Sequence, residues 1–243
     1  MEICLIWYMK INLLCIATRK YKTFVPQFLE GVKKYFFVNH EVELNLFTDE
    51  LEHEYLGDER VKVNKELIPS YTFPNATLLR YKIFTSKEYT CDYLLYSDID
   101  MKIVDYIDES ILGNIIAVKH PGFSKVVSGG SWETNKKSTS YVYPENRIYY
   151  WAGGVQGGAN EYYYRAMQRM KRDIEEDERN GIIPIWHDES AWNCFLSERC
   201  GNFKQLGSEY CCPEPVHLRR LWGIDDIPPK IIALAKDHAS IRS

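Results

Sequence analysis

A chain of 243 residues, 45% hydrophobic and 26% charged, is long enough to bury one large core and too balanced in composition for a disordered or fibrous protein. Its formal net charge of −4 argues against a broad basic surface for nucleic acid. The seven cysteines are odd in number and lack framework spacing, and Cys211-Cys212 has no Cys-x-x-Cys partner, which favours reduced thiols over a disulfide scaffold or a structural zinc site.

The segment from Met1 to Lys10 is apolar but interrupted by charge, too short to span a bilayer, and without a leader-type cleavage pattern. A cytoplasmic protein with no membrane span is the expectation. Ile11 to Ala17 is a continuous apolar run of strand length, as in a strand covered on both faces. From Thr23 to Tyr35 the residues Phe24, Val25, Phe28, Leu29, Val32 and Tyr35 recur at helical spacing, with Pro26 in the first turn. Val42 to Thr48 alternates and reads as a second strand, and Val61-Lys62-Val63 as a short third. Leu78 to Phe84 predicts a helix, and Tyr93 to Tyr96 a strand. This alternation predicts an α/β fold with a parallel sheet covered on both faces and ligands at the carboxyl ends of its strands. Gly122 to Arg147 has little periodicity and reads as a long loop, a functional lid or a mobile segment. Glu161 to Arg179 predicts a charged amphipathic helix whose charge run is a solvated face.

Three segments carry chemistry. Leu94 to Ser97 ends abruptly in Asp98-Ile99-Asp100, and on an extended strand residues i and i+2 share one face, so both carboxylates can reach one site. Two hard oxygen ligands suit Mg²⁺ or Mn²⁺ with a phosphorylated substrate, although Asp-x-Asp after a strand is also ordinary turn chemistry. Tyr149-Tyr150-Trp151 runs into Ala152-Gly153-Gly154-Val155-Gln156-Gly157-Gly158, where bare backbone can approach a bulky ligand or pack tightly as a loop under a helix. The run is neither a dinucleotide fingerprint nor a P-loop. Trp186-His187-Asp188-Glu189 concentrates ionisable groups, either to bind a polyhydroxyl ligand and do acid, base or nucleophilic work, or as the acidic first turn of a helix.

Taken in order, Asp98-Ile99-Asp100-Met101, His120-Pro121-Gly122-Phe123, Tyr149-Tyr150 through Gly157-Gly158, Trp186 through Ser190 and Ser208-Glu209-Tyr210 resemble glycosyltransferase family six. This is the family of the histo-blood-group A and B transferases and of α-1,3-galactosyltransferase. The resemblance runs from about Lys10 to Arg242 and, with no anchor or stem ahead of it, is similar to the minimal bacterial or phage members. It implies a GT-A type nucleotide-sugar-binding fold, a mixed and mainly parallel sheet flanked by helices. The single catalytic domain, 1–243, divides into a UDP-binding half of about 10–100, an acceptor and donor-sugar half of about 101–227, and a closing tail, 228–243.

The resemblance also implies roles. Ile16, Ala17, Thr18 and Tyr21 fall where the family holds uridine, with Tyr21 as the ring on the base. Arg80 matches the arginine between donor sugar and aspartate pair. Asp98 and Asp100 match the metal motif, Asp100 as direct ligand of Mn²⁺, with Mg²⁺ as the other candidate; many bacterial relatives look to carry Asn there and to work without metal. Ala152, Gly153 and Gly154 match the donor-sugar triplet, where the absent Gly154 side chain leaves room for the C2 substituent and favours UDP-GalNAc, with UDP-Gal close behind. His120 and Trp186 match acceptor positions, His187 and Asp188 donor-sugar contacts. Glu189 matches the carboxylate below the anomeric carbon, which also borders the acceptor. Lys236 and Arg242 match the tail that closes over the diphosphate, expected to be mobile without UDP. The implied reaction is metal-dependent, retaining α-1,3 transfer of GalNAc or Gal from UDP to a galactose-terminated acceptor, with or without fucose. Two other readings remain open: a phosphohydrolase using the Asp-x-Asp pair, although Lys102 stands where such enzymes want Thr or Val, and a lectin-like sugar-binding module without turnover.

Overall fold

Five consecutive buried residues, Ile11 to Cys15, form the middle of the first strand in the computed structural model, which describes residues 8–242. The reading of the segment before Tyr8 lies outside the described residues. In chain order the elements are β1 (Lys10–Ala17), α1 (Val25–Tyr35), β2 (Glu41–Thr48), β3 (Val61–Leu67), α2 (Asn75–Leu78), α3 (Arg80–Phe84), β4 (Tyr93–Ser97), β5 (Met101–Ile103) and β6 (Ile116–Lys119). They continue with β7 (Trp151–Ala159), α4 (Asn160–Arg179), α5 (His187–Ser197), β8 (Lys204–Leu206), β9 (Cys212–Pro213), α6 (Val216–Leu221), β10 (Ile231–Ala233) and α7 (His238–Arg242).

The main sheet has seven strands in the order β3-β2-β1-β4-β7-β6-β8. Pairing is parallel from β3 through β4 and between β6 and β8, while β7 runs antiparallel to both its neighbours. The sheet is thus mixed and mainly parallel, as the GT-A type expectation requires. One face packs on α1 through Val25, Phe28, Leu29 and Val32; the other is covered by α3, α4 and α5 through Tyr81, Tyr163, Met167 and Trp192. Each such side chain, fully buried, contributes roughly 1.5–3 kcal/mol of transfer free energy.

Several expectations need correction. The glycine run after Trp151 is not a loop but a central strand, β7. The helix foreseen over Leu78 to Phe84 is split at Leu79, whose backbone leaves helical values (φ −85°, ψ 0°). Strand β4 stops at Ser97, so Asp98 and Asp100 sit in the following turn rather than on one face of a strand. The segment from Gly122 to Arg147 has no helix or strand beyond short 3₁₀ turns, as expected, but it is stapled down. Asp177 accepts from Ser138 Oγ (2.6 Å) and Thr139 N (2.7 Å), and Glu133 Oε2 accepts from Ile185 N (2.7 Å).

A second sheet, β5-β10-β9, has β10 antiparallel to β5 and parallel to β9. It brings the C-terminal tail back beside the aspartates, where Leu234 N donates to Asp100 O (3.0 Å). Among the described residues, the six cysteines are free thiols, and no helix is long and apolar enough to cross a membrane.

Candidate active site

The carboxyl ends of β1 and β4 open onto a cleft of about 810 Å³, the position that a parallel arrangement favours for ligands. Ile16, Thr18, Tyr21, Arg80, Asp98, Asp100 and Lys236 all line it; Ala17 does not, being fully buried. Tyr71, Phe73, Arg19 and Ile241 complete the walls. Sequence reasoning gave these four no role, and only the aromatic character of Tyr71 and Phe73 hinted at a base or sugar face. Arg19 holds a left-handed backbone (φ 55°), with its N–H donating to Asp49 Oδ2 (3.0 Å). Strain of this kind is retained where surrounding contacts demand it.

Arg80 joins the pieces. Only 5% exposed, it donates from Nη1 to Gly153 O (3.1 Å) and from Nη2 to Asp98 Oδ1 (3.0 Å), pairs with Asp188, and stacks 4.1 Å over the Tyr96 ring. Burial opposes its charge, yet Asp188, and after it Tyr96 and Asp98, hold the guanidinium above its ordinary range. Burial likewise pushes the Asp188 carboxyl up, to about 7, against the pull of Arg80 and with help from Asp98 and Glu189. Tyr96 also donates its hydroxyl to Asp98. An aspartate held by two donors is poorly placed to be the free nucleophile that a phosphohydrolase would need.

Asp100, 4% exposed, pairs with Lys236, so each aspartate of the turn already has one cation. Among the described residues no three His, Cys, Asp or Glu side chains converge, so any divalent ion here needs oxygens from elsewhere. Two hard carboxylates on one cleft fit Mn²⁺ or Mg²⁺ provided that phosphate oxygens fill the remaining positions and Lys236 moves off Asp100. Lys236 lies 5.4 Å from the Tyr21 ring centre, and α7 packs against the turn that carries Tyr21, with Lys20 Nζ donating to Ser240 O (2.7 Å). Arg242 ends α7, but its side chain is outside the described residues.

Behind Arg80 lies Gly153. Its carbonyl serves Arg80 and Gln156 Nε2 (2.9 Å), while its N–H donates to Glu189 Oε2 (2.7 Å). Glu189 therefore binds the Gly153 N–H directly, while Asp188 reaches the Gly153 carbonyl through Arg80. They do so because His187 opens α5 with a left-handed backbone (φ 52°), a conformation His tolerates better than most residues. The reading of this segment as a helix's acidic first turn holds, and the same turn brings Asp188 to Arg80 and Glu189 to Gly153. The His187 ring packs at 5.0 Å on Phe73. A Cβ on Gly153 would stand 3.0 Å from Glu189 Cβ, and one on Gly154 would meet Met101 Cε at 2.7 Å and Asp98 Oδ2 at 2.8 Å. Gly154 is thus bare first of all to admit Asp98, whatever sugar lies beyond. Ala152, 2% exposed, is buried in β7 and faces the α1-side core.

On the far side of Glu189 stands Tyr150, whose hydroxyl donates to Glu189 Oε1 (2.9 Å) and whose ring centre is 5.7 Å from that of His120. His120 Nδ1 accepts from Gly122 N (3.1 Å), and burial pushes its pKa down to about 4, so the neutral ring carries its proton on Nε2. Trp186 is 49% exposed just before α5. Asn193 docks α5 on β7: its amide donates to Trp151 O (2.8 Å) and Glu189 O (2.9 Å) and accepts from Trp151 N (2.8 Å). Tyr150, Gln156 and Asn193 had no role in the sequence reading.

Comparisons with known proteins agree with this layout. The family model described as Glycosyltransferase family 6 matches residues 6–243. The chain is 29% identical to Histo-blood group ABO system transferase 1 of Rattus norvegicus over 96% of its own length and 68% of the relative's. It is 26% identical to Globoside alpha-1,3-N-acetylgalactosaminyltransferase 1 of Homo sapiens, over 96% of this chain and 68% of that one. It is 29% identical to the O-antigen biosynthesis glycosyltransferase WbnI of Escherichia coli over 77% of this chain and 82% of that protein. A match over nearly the whole chain shows that it belongs to glycosyltransferase family 6.

Proposed function

We propose that the protein transfers GalNAc or Gal from a UDP-sugar to the 3-OH of a galactoside acceptor, with or without fucose, retaining the α configuration and depending on a divalent metal. The observation that carries this reading is one carboxylate, Glu189, held by Gly153 N–H and Tyr150 OH, with Gly153 bound in turn to Arg80 on the wall of the cleft. Ile16, Thr18 and Tyr21 hold the uridine, with Ala17 shaping β1 behind them. Asp98 and Asp100 would hold Mn²⁺ or Mg²⁺, which supplies charge neutralisation for the departing diphosphate. Lys236 and Arg242 on the tail add positive charge to the same leaving group. Arg80, Ala152, Gly153, Gly154, His187 and Asp188 shape the donor-sugar position, and Trp186 and His120 face the acceptor. Glu189 lies where it meets the anomeric carbon, as nucleophile of a covalent intermediate or as the charge that steadies an oxocarbenium-like state. Several relatives whose names specify ABO and α-1,3-N-acetylgalactosaminyl transfer support this donor class.

The test is a screen of UDP-sugars with Mn²⁺ and lactose or fucosyllactose, reading UDP release. Release from UDP-GalNAc or UDP-Gal, abolished by chelator and by Asp100→Asn, is expected. Activity of Asp100→Asn that persists in chelator would remove the metal from the proposal.

A further inference from the structure

We propose that Tyr150 is a positioning residue for Glu189: its hydroxyl sets the orientation of the carboxylate, and its ring, packed against Trp132, Phe123 and His120, holds that setting in place. The role in turnover rests on the reading of Glu189 given above; the coupling between the two side chains does not.

The terminal torsion of a glutamate is broad, and a single hydrogen bond leaves it so. Gly153 N–H fixes Oε2 at 2.7 Å, and only the second donor, Tyr150 OH on Oε1 at 2.9 Å, removes the remaining freedom. The tyrosine itself cannot swing. It is 2% exposed, and its ring meets Trp132 edge-on at 5.0 Å, Phe123 at 5.4 Å and His120 at 5.7 Å. Gly130, left-handed at φ 155°, lets the loop lie on that ring: a Cβ there would come within 2.6 Å of Tyr150 Cδ2. Burial and the Glu189 charge push the Tyr150 hydroxyl above its usual range, so it stays a donor.

A second acceptor completes the device. Ser131 O lies 3.3 Å from the same hydroxyl, which carries one proton. When Glu189 is drawn toward a ligand, the proton has another partner and no buried donor is stranded.

Tyr150→Phe keeps the ring and removes only the hydroxyl. We expect kcat for transfer to fall about tenfold while KM for both substrates stays within about twofold, the pattern of lost orientation and not of lost binding. Thermal melting gives a readout that needs no substrate: Tyr150→Phe should lower Tm by about 3 °C in the parent and by less than about 1 °C in a Glu189→Ala background. Should Glu189→Ala not fold, Glu189→Gln replaces it, and the loss should again be smaller than in the parent, because the single amide oxygen goes to Gly153 N–H and the NH₂ turned to Tyr150 accepts nothing from its hydroxyl. An equal Tm loss in both backgrounds, failure of Tyr150→Phe to fold, or an unchanged kcat overturns the proposal. If the parent turns over no UDP-sugar at all, the transferase reading fails, while the melting cycle still decides the Tyr150–Glu189 coupling.

Discussion

Glu189 illustrates how a carboxylate can be disfavoured in its charged form by the fold that holds it. Burial raises its pKa, Gly153 N–H and Tyr150 OH lower it, and Asp98 raises it further despite Arg80, so the net direction is upward. A carboxyl with a raised folded-state pKa binds more protons folded than unfolded, so its contribution to stability is present at low pH and fades as pH rises through the folded value. Asp188, pushed to about 7, adds to the same trend. Glu189→Gln removes the penalty of the charged form and keeps an oxygen for Gly153 N–H. Its Tm advantage over the parent should be smallest near pH 4, below the ordinary value of a free glutamate, and should widen as pH rises from there to 8. A melting series across that range checks this; an advantage that shrinks as pH rises would mean that Glu189 is stabilised, not penalised, by its surroundings. The same substitution should abolish transfer.

At the scale of elements, the site depends on docking α5 against β7. Asn193, 1% exposed, satisfies both polar groups of Trp151 and the carbonyl of Glu189. Asn193→Ala leaves those groups buried without partners and should cost about 2–4 kcal/mol in urea denaturation. A loss under 1 kcal/mol would show that the two elements are held by packing alone. This joint also marks how far the sequence could be read. Strands β1 and β4 were visible because continuous apolar runs report burial on both faces, and the Asp98, Asp100 and Glu189 segments because dense ionisable groups are costly to bury. Strand β7 was not, because glycine lowers strand propensity and signals a turn as readily as a close approach. Its glycines serve close approach: a Cβ on Gly157 would stand 2.3 Å from Leu95 Cδ2, and one on Gly158 2.1 Å from Asn114 O. Tyr150 and Asn193 act on residues about forty positions away, through the docking of α5 on β7, which no local pattern announces. The aspartate turn was misread as a strand face because Asp-x-Asp obeys both periodicities.

At the scale of the whole molecule, the C-terminal tail returns across the second sheet to the cleft at the ends of β1 and β4. Strand β10 seats it beside β5, Lys236 pairs with Asp100, and Ile241 lines the cleft wall. A divalent ion held by Asp100 would therefore have to displace Lys236. Lys236→Ala should bind Mn²⁺ more tightly than the parent in the absence of nucleotide, by about tenfold if a charge-assisted contact is relieved, while binding UDP more weakly. Electron paramagnetic resonance of free Mn²⁺ measures the first, calorimetry the second; an unchanged Mn²⁺ affinity would show that Lys236 does not guard the aspartate.

The central claim, that Glu189 supports retaining transfer from a UDP-sugar, is tested most directly by the anomeric configuration of the product. Proton NMR of the product formed from UDP-GalNAc or UDP-Gal on lactose or fucosyllactose should show a new α-linked residue with the parent enzyme and none with Glu189→Ala. A β-linked product, or undiminished transfer by Glu189→Ala, would contradict the account.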